Sequence, residues 1–251
     1  MDRLRGFLLP LCLLALWEAG ARAGLLPHDT MSRPSDIVPA GWAALRDGSL
    51  ALATVQTFET ALLGLVIGAA VGIALGIPLG LSPALEGVVG PSLDTLRPVP
   101  SVALIPLALL LFGFGVRMEV LVIAFACVWP VLVVAVGAVR AVDPRLIEVG
   151  RLLEAPPLGR MVRIVLPATL ARIAVGIRVS AGVALVVAVT VEIVLNPQGL
   201  GYAMISASQS LRPELMWAEL VWVGIVGWGF NAILLAVDRR WLARFSAAGR
   251  R

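Results

Sequence analysis

Long uncharged runs of apolar residues are the feature that most constrains how this chain can fold. Several runs approach or exceed the roughly 18 to 20 residues that a helix needs to cross the hydrocarbon core of a bilayer. Of the 251 residues, 59% are hydrophobic and only 14% are charged. A soluble domain of this size does not need such runs. We therefore predict an all-α, polytopic membrane protein that forms one domain surrounded by lipid.

The pattern of apolar runs predicts about six transmembrane helices. The predicted spans cover residues 5–23, 58–81, 99–114, 120–139, 173–195 and 217–237. The first span has a second interpretation, because it is short and Ala21-Arg22-Ala23 resembles a signal-peptidase site. We expect it to be retained as a span, with a cleaved signal peptide as the alternative.

Glycines recur at every fourth position of the second span. Four residues overshoot one helical turn by only about 40°, so these glycines form a slowly winding bare stripe. Such a stripe lets another helix backbone approach closely in a membrane. We predict a surface for helix packing rather than for substrate, and its residues are Gly64, Gly68, Gly72, Gly76 and Gly80.

Prolines interrupt the third predicted span. Pro98, Pro100 and Pro106 break up residues 99–114, a stretch of about 16 residues that is short for a full crossing. Broken helices at membrane depth occur where they are buried or line a cavity. This stretch is therefore a candidate part of a translocation pathway, and a merely kinked structural helix is the alternative.

Four residues are pathway candidates. Arg97, Pro100 and Ser101 belong to the broken stretch, and Glu192 lies near the far end of the fifth span. Arg97 could attract anions, or it could anchor the helix at the cytoplasmic surface. Glu192 could face a cavity or lie at the level of the lipid headgroups.

A polar segment, residues 140–172, lies between the fourth and fifth spans. Its first part, residues 144–155, has helical character, and Pro156 and Pro157 end that helix because proline lacks an N–H group and restricts the residue before it. An amphipathic helix held between two spans offers a binding surface to a soluble partner. Its charged residues include Arg140, Asp143, Arg145, Glu148, Arg151, Glu154, Arg160, Arg163 and Arg172.

Charge placement predicts the orientation. The chain has 20 arginines, no lysine and a net charge of +4. With the N-terminus in the cytoplasm, six spans place the polar segment and the C-terminus there as well, which agrees with the positive-inside rule. The basic residues thus reflect membrane orientation, and we expect no nucleic-acid partner.

Several classes of chemistry are excluded or disfavoured by composition. Cys12, Cys127 and His28 do not suggest a disulfide framework or a metal site. Without lysine the chain contains no GxxxxGK[ST] phosphate-binding loop, so any ATP-driven work requires another polypeptide. We expect no cofactor on this chain.

Residues 148–167 resemble the EAA loop of ABC-importer permeases. Glu148 matches the glutamate of that motif, and Val149 and Gly150 replace its alanines. Glu154 stands where the glycine usually lies and Ala155 follows as in the family. The ending Ile-Val-Leu-Pro at 164–167 also matches.

Three further stretches carry the same resemblance in the same order as in the family. SRPSDIVPA resembles its LPSP-type loop, LRPVPSVALIPLALLLFGFG its proline-rich segment, and NPQGLGY its GLGY turn. Together the motifs cover nearly the whole chain. The chain is similar to permeases of the nitrate, sulfonate and taurine importer group.

The resemblance implies the type I ABC importer permease fold and a set of partners. These are a second permease subunit, expected to be an identical copy, a cytoplasmic ABC ATPase dimer that holds ATP and Mg²⁺, and a periplasmic or extracellular solute-binding protein. The expected location is the bacterial inner membrane. The implied coupling residues are Glu148, Gly150, Arg151, Leu152, Leu153, Glu154 and Ala155.

The resemblance implies import of a sulfonate, nitrate, taurine or a similar small anion, without selecting among them. A secondary transporter is an alternative, although it would need ion-coupling residues at the membrane midplane. A membrane-embedded enzyme would need a nucleophile, a base or a metal set within the spans. The importer interpretation alone requires an ATPase partner.

Overall fold

The computed structural model describes residues 2–25, 27, 31–143, 145, 146, 148, 152, 154 and 156–248. Side chains are described between residues 8 and 237 within these ranges, except at 157 and 158. The described residues form helices and no strands, which confirms the all-α prediction. The helices are α1 Asp2–Arg22, α2 Pro34–Arg46, α3 Ser49–Leu81, α4 Pro83–Leu96, α5 Ile105–Phe112, α6 Val116–Arg140, α7 Pro157–Arg160, α8 Leu166–Val194, α9 Gly199–Gln209 and α10 Pro213–Ala248.

Four stretches of the described chain are long and apolar enough to cross a membrane. They are Ser49–Leu81, Val116–Arg140, Met161–Gln209 and Pro213–Val237. A fifth is obtained if the bent pair that includes α4 and α5 counts as one span. The predicted spans 58–81 and 120–139 lie within α3 and α6, and the last span lies within α10. The first predicted span, 5–23, falls on α1, which is not one of these stretches.

The third predicted span is not one helix. A 3₁₀ turn, Ser101–Leu104, precedes the eight-residue helix α5, and this unit is bent by 85° relative to α4. Pro98 and Pro100 cannot donate backbone hydrogen bonds, so the helix ends at the residues before them. The half-polar stretch that precedes them is helical and forms α4.

The long helices α3 and α6 run parallel, and α8 runs antiparallel to both. Gly64 lies against Ile123 and Gly80 against Val139, so residue numbers rise together along α3 and α6. Ser180 of α8 exchanges hydrogen bonds with Cys127 of α6. We call the end of the bundle that holds Gly48, Gly115 and Asn196 the Asn196 end. The opposite end, where α3 and α6 finish and α8 begins, is the Arg140 end.

Small side chains fill the contact between α6 and α8. Ala181, Ala184 and Ala188 of α8 pack in one buried cluster with Met118 and Val122 of α6. Large apolar residues instead lie on the outside, and examples are Val66, Val186 and Trp228. This arrangement suits a bundle in lipid, where close backbone packing takes the place of hydrophobic burial.

Candidate functional site

The polar segment begins with a capped turn at the Arg140 end. Arg140, the last residue of α6, forms an ion pair with Glu86 of α4. Asp143 Oδ1 accepts a hydrogen bond of 2.9 Å from the backbone N–H of Arg145, which is how an N-cap residue satisfies the first turn of a helix. The described residues that follow, Arg145, Leu146, Glu148 and Leu152, are helical.

Two predicted coupling residues in this helix are exposed. The Leu152 residue is 82% exposed, and Glu148 is exposed as well. A large exposed leucine beside charged residues is suited to contact with a soluble protein. The other predicted coupling residues Gly150, Arg151, Leu153 and Ala155 lie outside the described residues.

Glu154 adopts a backbone conformation that glycine usually provides. Its φ is 52°, in the left-handed region that costs an L-residue about 1–2 kcal/mol. Helices commonly end with a glycine in this conformation. Glu154 thus has a glycine-like backbone at the position where the EAA pattern usually has glycine. The chain resumes as α7 at Pro157.

The glycine stripe of α3 faces α6. A Cβ atom on Gly68 would lie 2.6 Å from the carbonyl oxygen of Ala124, and one on Gly72 would lie 2.8 Å from that of Val128. The other positions meet side chains, with separations of 2.5 Å at Gly64 to Ile123, 2.6 Å at Gly76 to Ala135 and 2.6 Å at Gly80 to Val139. A side chain at these positions would push the two helices apart.

A buried polar cluster joins three elements at the Asn196 end. Glu119 Oε1 accepts a hydrogen bond of 2.7 Å from the Thr60 hydroxyl, and Glu119 Oε2 accepts one of 2.5 Å from Asn196 Nδ2. Asn196 Oδ1 accepts one of 3.1 Å from the backbone N–H of Gly115. Sequence analysis missed Glu119 and Asn196. An acidic residue directly before an apolar run was the available signal for Glu119.

Glu192 belongs to the same region. It is 1% exposed, and its Oε2 accepts a hydrogen bond of 2.8 Å from the backbone N–H of Gly201. Gly199 has a φ of 85°, and a Cβ there would overlap the Glu192 carboxyl group. The sequence left a cavity or the headgroup level as alternatives for Glu192, and the structure shows its side chain packed between helices near the end of α8.

The structure does not bring the four pathway candidates together. Arg97 and Pro100 are exposed and Ser101 is half-buried, at the bend between α4 and α5. Glu192 is enclosed in the polar contacts near the far end of α8. Arg178, which sequence analysis did not single out, is half-buried near the middle of α8. An ionisable side chain at that depth is a signal of function that the sequence already contained.

A cavity of about 540 Å³ opens at the Asn196 end between α2, α3, α9 and α10. Its charged lining residues are Asp47, Arg212 and Glu219. Hydrogen bonds from the Ser49 hydroxyl and backbone N–H hold the pKa of Asp47 below its usual range, so Asp47 is a carboxylate at neutral pH. Sequence analysis missed this cavity, because its walls come from distant parts of the chain.

Two known proteins with similar sequences are transport permeases. The SsuC protein of Bacillus subtilis (strain 168), a putative aliphatic sulfonates transport permease protein, is 31% identical over 95% of this chain and 87% of its own length. The taurine transport system permease protein TauC of Escherichia coli (strain K12) is 28% identical over 91% of this chain and 85% of its own length.

The fold has a solved counterpart. A chain of the MetNI methionine ABC transporter in an inward-facing conformation matches with a TM-score of 0.57 and 18% identity. The match covers 79% of this chain and 98% of that chain, and it confirms the type I importer fold.

A family model extends the comparison over most of the chain. Residues 52–244 match the model of the binding-protein-dependent transport system inner membrane component. The prediction of an importer permease is thereby confirmed, and the alternative of a transporter without an ATPase does not hold. The chain is a transport subunit rather than an enzyme, and ATP is hydrolysed by a separate chain. It belongs to the family of inner-membrane permease components of binding-protein-dependent ABC importers.

Proposed function

We propose that two copies of this chain form the translocation pathway of an importer for a small sulfonate-type anion. The sulfonate and taurine permeases among its relatives support this class of solute. Arg178 is half-buried near the middle of a spanning helix, and a cationic side chain at that depth is a candidate contact for an anionic solute.

The observation that carries the coupling role is the exposure of Leu152 and Glu148 at the Arg140 end. Their helix lies between α6 and α8, the two helices that pack together through the length of the bundle. A partner that pulls on this helix therefore acts on α6 at one end and, through α7, on α8 at the other. In this proposal the ATPase binds ATP and Mg²⁺, Leu152 enters its cleft, and Glu148 supplies a polar contact.

The proposed orientation places the Arg140 end in the cytoplasm. Described arginines of the polar segment, such as Arg140 and Arg145, lie there, and this distribution follows the positive-inside rule. The end of α1 lies at the opposite end, where Glu18 accepts hydrogen bonds from Ser35 of α2. With α1 as a further crossing, both termini are cytoplasmic in this proposal, and the Asn196 end faces the solute-binding protein.

Co-purification of the ATPase with paired leucine variants tests the coupling role. Leu152→Asp should reduce recovery of the ATPase at least 10-fold, because the substitution removes an apolar contact and introduces a charge. Leu211→Asp is the matched control, since Leu211 is 83% exposed in the turn between α9 and α10 at the Asn196 end. It should leave recovery unchanged.

Charge-reversal variants provide a second test of the coupling role, again with a matched control. Glu148→Lys should lower ATPase association, whereas Asp36→Lys, at an exposed position of α2, should not. Equal ATPase recovery with all four variants would contradict the coupling role. Uptake of an alkanesulfonate by the complete importer in vesicles tests the solute class, and ATP-dependent uptake of neutral sugars only would refute it.

A further inference from the structure

A buried carboxylate oxygen in the cavity at the Asn196 end lacks a partner. Glu219 lies in the second turn of α10, lines the cavity and is 6% exposed. Its Oε2 atom has no hydrogen-bond partner among the residues that the structure describes. An unpaired buried polar group is unfavourable, so we expect this oxygen to accept a hydrogen bond from a donor outside the described residues.

The charges around the cavity favour a cation. Asp47 and Glu219 line it together with one arginine, Arg212. Arg212 Nε already has a carboxylate neighbour, because it lies 3.9 Å from Glu214 Oε1. The side chain of Arg212 is 60% exposed, so it lies at the solvent-facing edge of the cavity, whereas Glu219 is buried. Carboxylates therefore outnumber guanidinium groups around the cavity.

Hydrogen bonds between helices fix the walls of the cavity. Trp222 Nε1 of α10 donates to the Thr54 hydroxyl of α3 at 2.9 Å. Gln56 Oε1 accepts from the backbone N–H of Gly199 at 3.0 Å, which attaches the start of α9 to α3. The volume of about 540 Å³ lies within the range of small-molecule sites, about 300–1,000 Å³.

We propose that this cavity binds the ammonium group of a small solute, with Glu219 as its acceptor. The ammonium supplies the N–H donor and the positive charge that the buried carboxylate lacks. Arg212 faces the anionic end of the same solute, so the favoured ligand is a zwitterion. The link from this site to transport rests on the proposed function, and it narrows the sulfonate-type solutes to those that carry an amine.

Binding to the permease–ATPase complex in lipid nanodiscs tests the site by calorimetry. The probes are taurine and 2-hydroxyethanesulfonate, which differ by replacement of the ammonium by a hydroxyl group. The complex should bind taurine at least 10-fold more tightly. Propylammonium, a cation with no anionic group, should bind too. These comparisons require no variant and stay informative whichever substitutions fold.

Substitutions locate the contacts. Glu219→Gln should weaken binding of both amines at least 10-fold, whereas Glu59→Gln, at an exposed position of α3, should not. Arg212→Gln should weaken the binding of taurine several-fold and leave the binding of propylammonium unchanged. Equal affinity for taurine and its hydroxyl analogue, unchanged amine binding by a folded Glu219→Gln protein, or no amine binding at millimolar concentration would each overturn the site.

The same preparations separate this proposal from the proposed function. Recovery of the ATPase with the permease reports the importer assembly, independently of the solute. Failure of amine binding in an assembled complex refutes the ammonium site alone. Failure of the ATPase to associate with the unmodified permease refutes the coupling role.

Discussion

The Asn196 carboxamide donates a 2.5 Å hydrogen bond to Glu119 Oε2, and this bond ties the loop after α8 to the first turn of α6. The same side chain accepts a hydrogen bond from Gly115 N. Both Glu119 and Asn196 are fully buried. One carboxamide therefore satisfies a buried carboxyl oxygen and a backbone donor that begin the same helix.

We expect Asn196→Ala to destabilise the Asn196 end. The substitution leaves Glu119 Oε2 and Gly115 N without their partners, and each unsatisfied buried group costs about 1–3 kcal/mol. The midpoint of thermal unfolding in detergent should fall by several degrees. Asn231→Ala, at an exposed position of α10, should shift it little. Equal midpoints for the two variants would show that the buried bond contributes nothing.

We expect Gly68→Ala to disturb the contact between α3 and α6. Its Cβ would meet the carbonyl oxygen of Ala124 at 2.6 Å, and backbone cannot move aside without shifting the helices. Overpacking of this kind costs about 1–3 kcal/mol.

Gly182→Ala in α8 is the control for that variant, because a Cβ there meets nothing within 4 Å. It should be neutral or slightly stabilising, since alanine favours the helix over glycine. Unfolding of both proteins in nanodiscs measures the difference. A Gly68→Ala protein as stable as the Gly182→Ala protein would refute the close approach.

We expect the backbone at Glu154 to accept glycine and to reject a β-branched residue. Its φ of 52° is open to glycine but strained for valine. Trypsin cleavage of the polar segment, followed by mass spectrometry, measures local opening. Glu154→Gly should be cleaved within about twofold of the unmodified rate, and Glu154→Val several-fold faster.

Leu211 offers a control for this experiment, because it also has a positive φ, 53°, but lies in the turn before α10. Leu211→Val should leave cleavage of the polar segment unchanged. Slower cleavage of Glu154→Val than of the unmodified protein would contradict the turn geometry at Glu154.

The lengths of apolar runs and the spacing of residues within single segments were enough to predict most of the spans, the glycine stripe and the family. Uncharged runs predicted α3, α6, α8 and α10 as spans, because a helix in lipid must satisfy its own backbone hydrogen bonds. The four-residue spacing of glycines predicted a bare stripe on α3, and the EAA-like residues with three further motifs predicted the family. These are local signals, readable without knowledge of which segments meet.

Tertiary structure alone decided the partners of the polar residues. The glycine stripe of α3 faces α6, and Glu192 accepts a hydrogen bond from Gly201. The sequence did not predict the geometry of the turn between these two residues. Glu119 and Asn196 are 77 positions apart, and Asp47 and Glu219 come from opposite ends of the chain to line one cavity. A polar residue within a membrane-spanning helix needs a polar partner, but only the packing of the helices determines which residue that partner is.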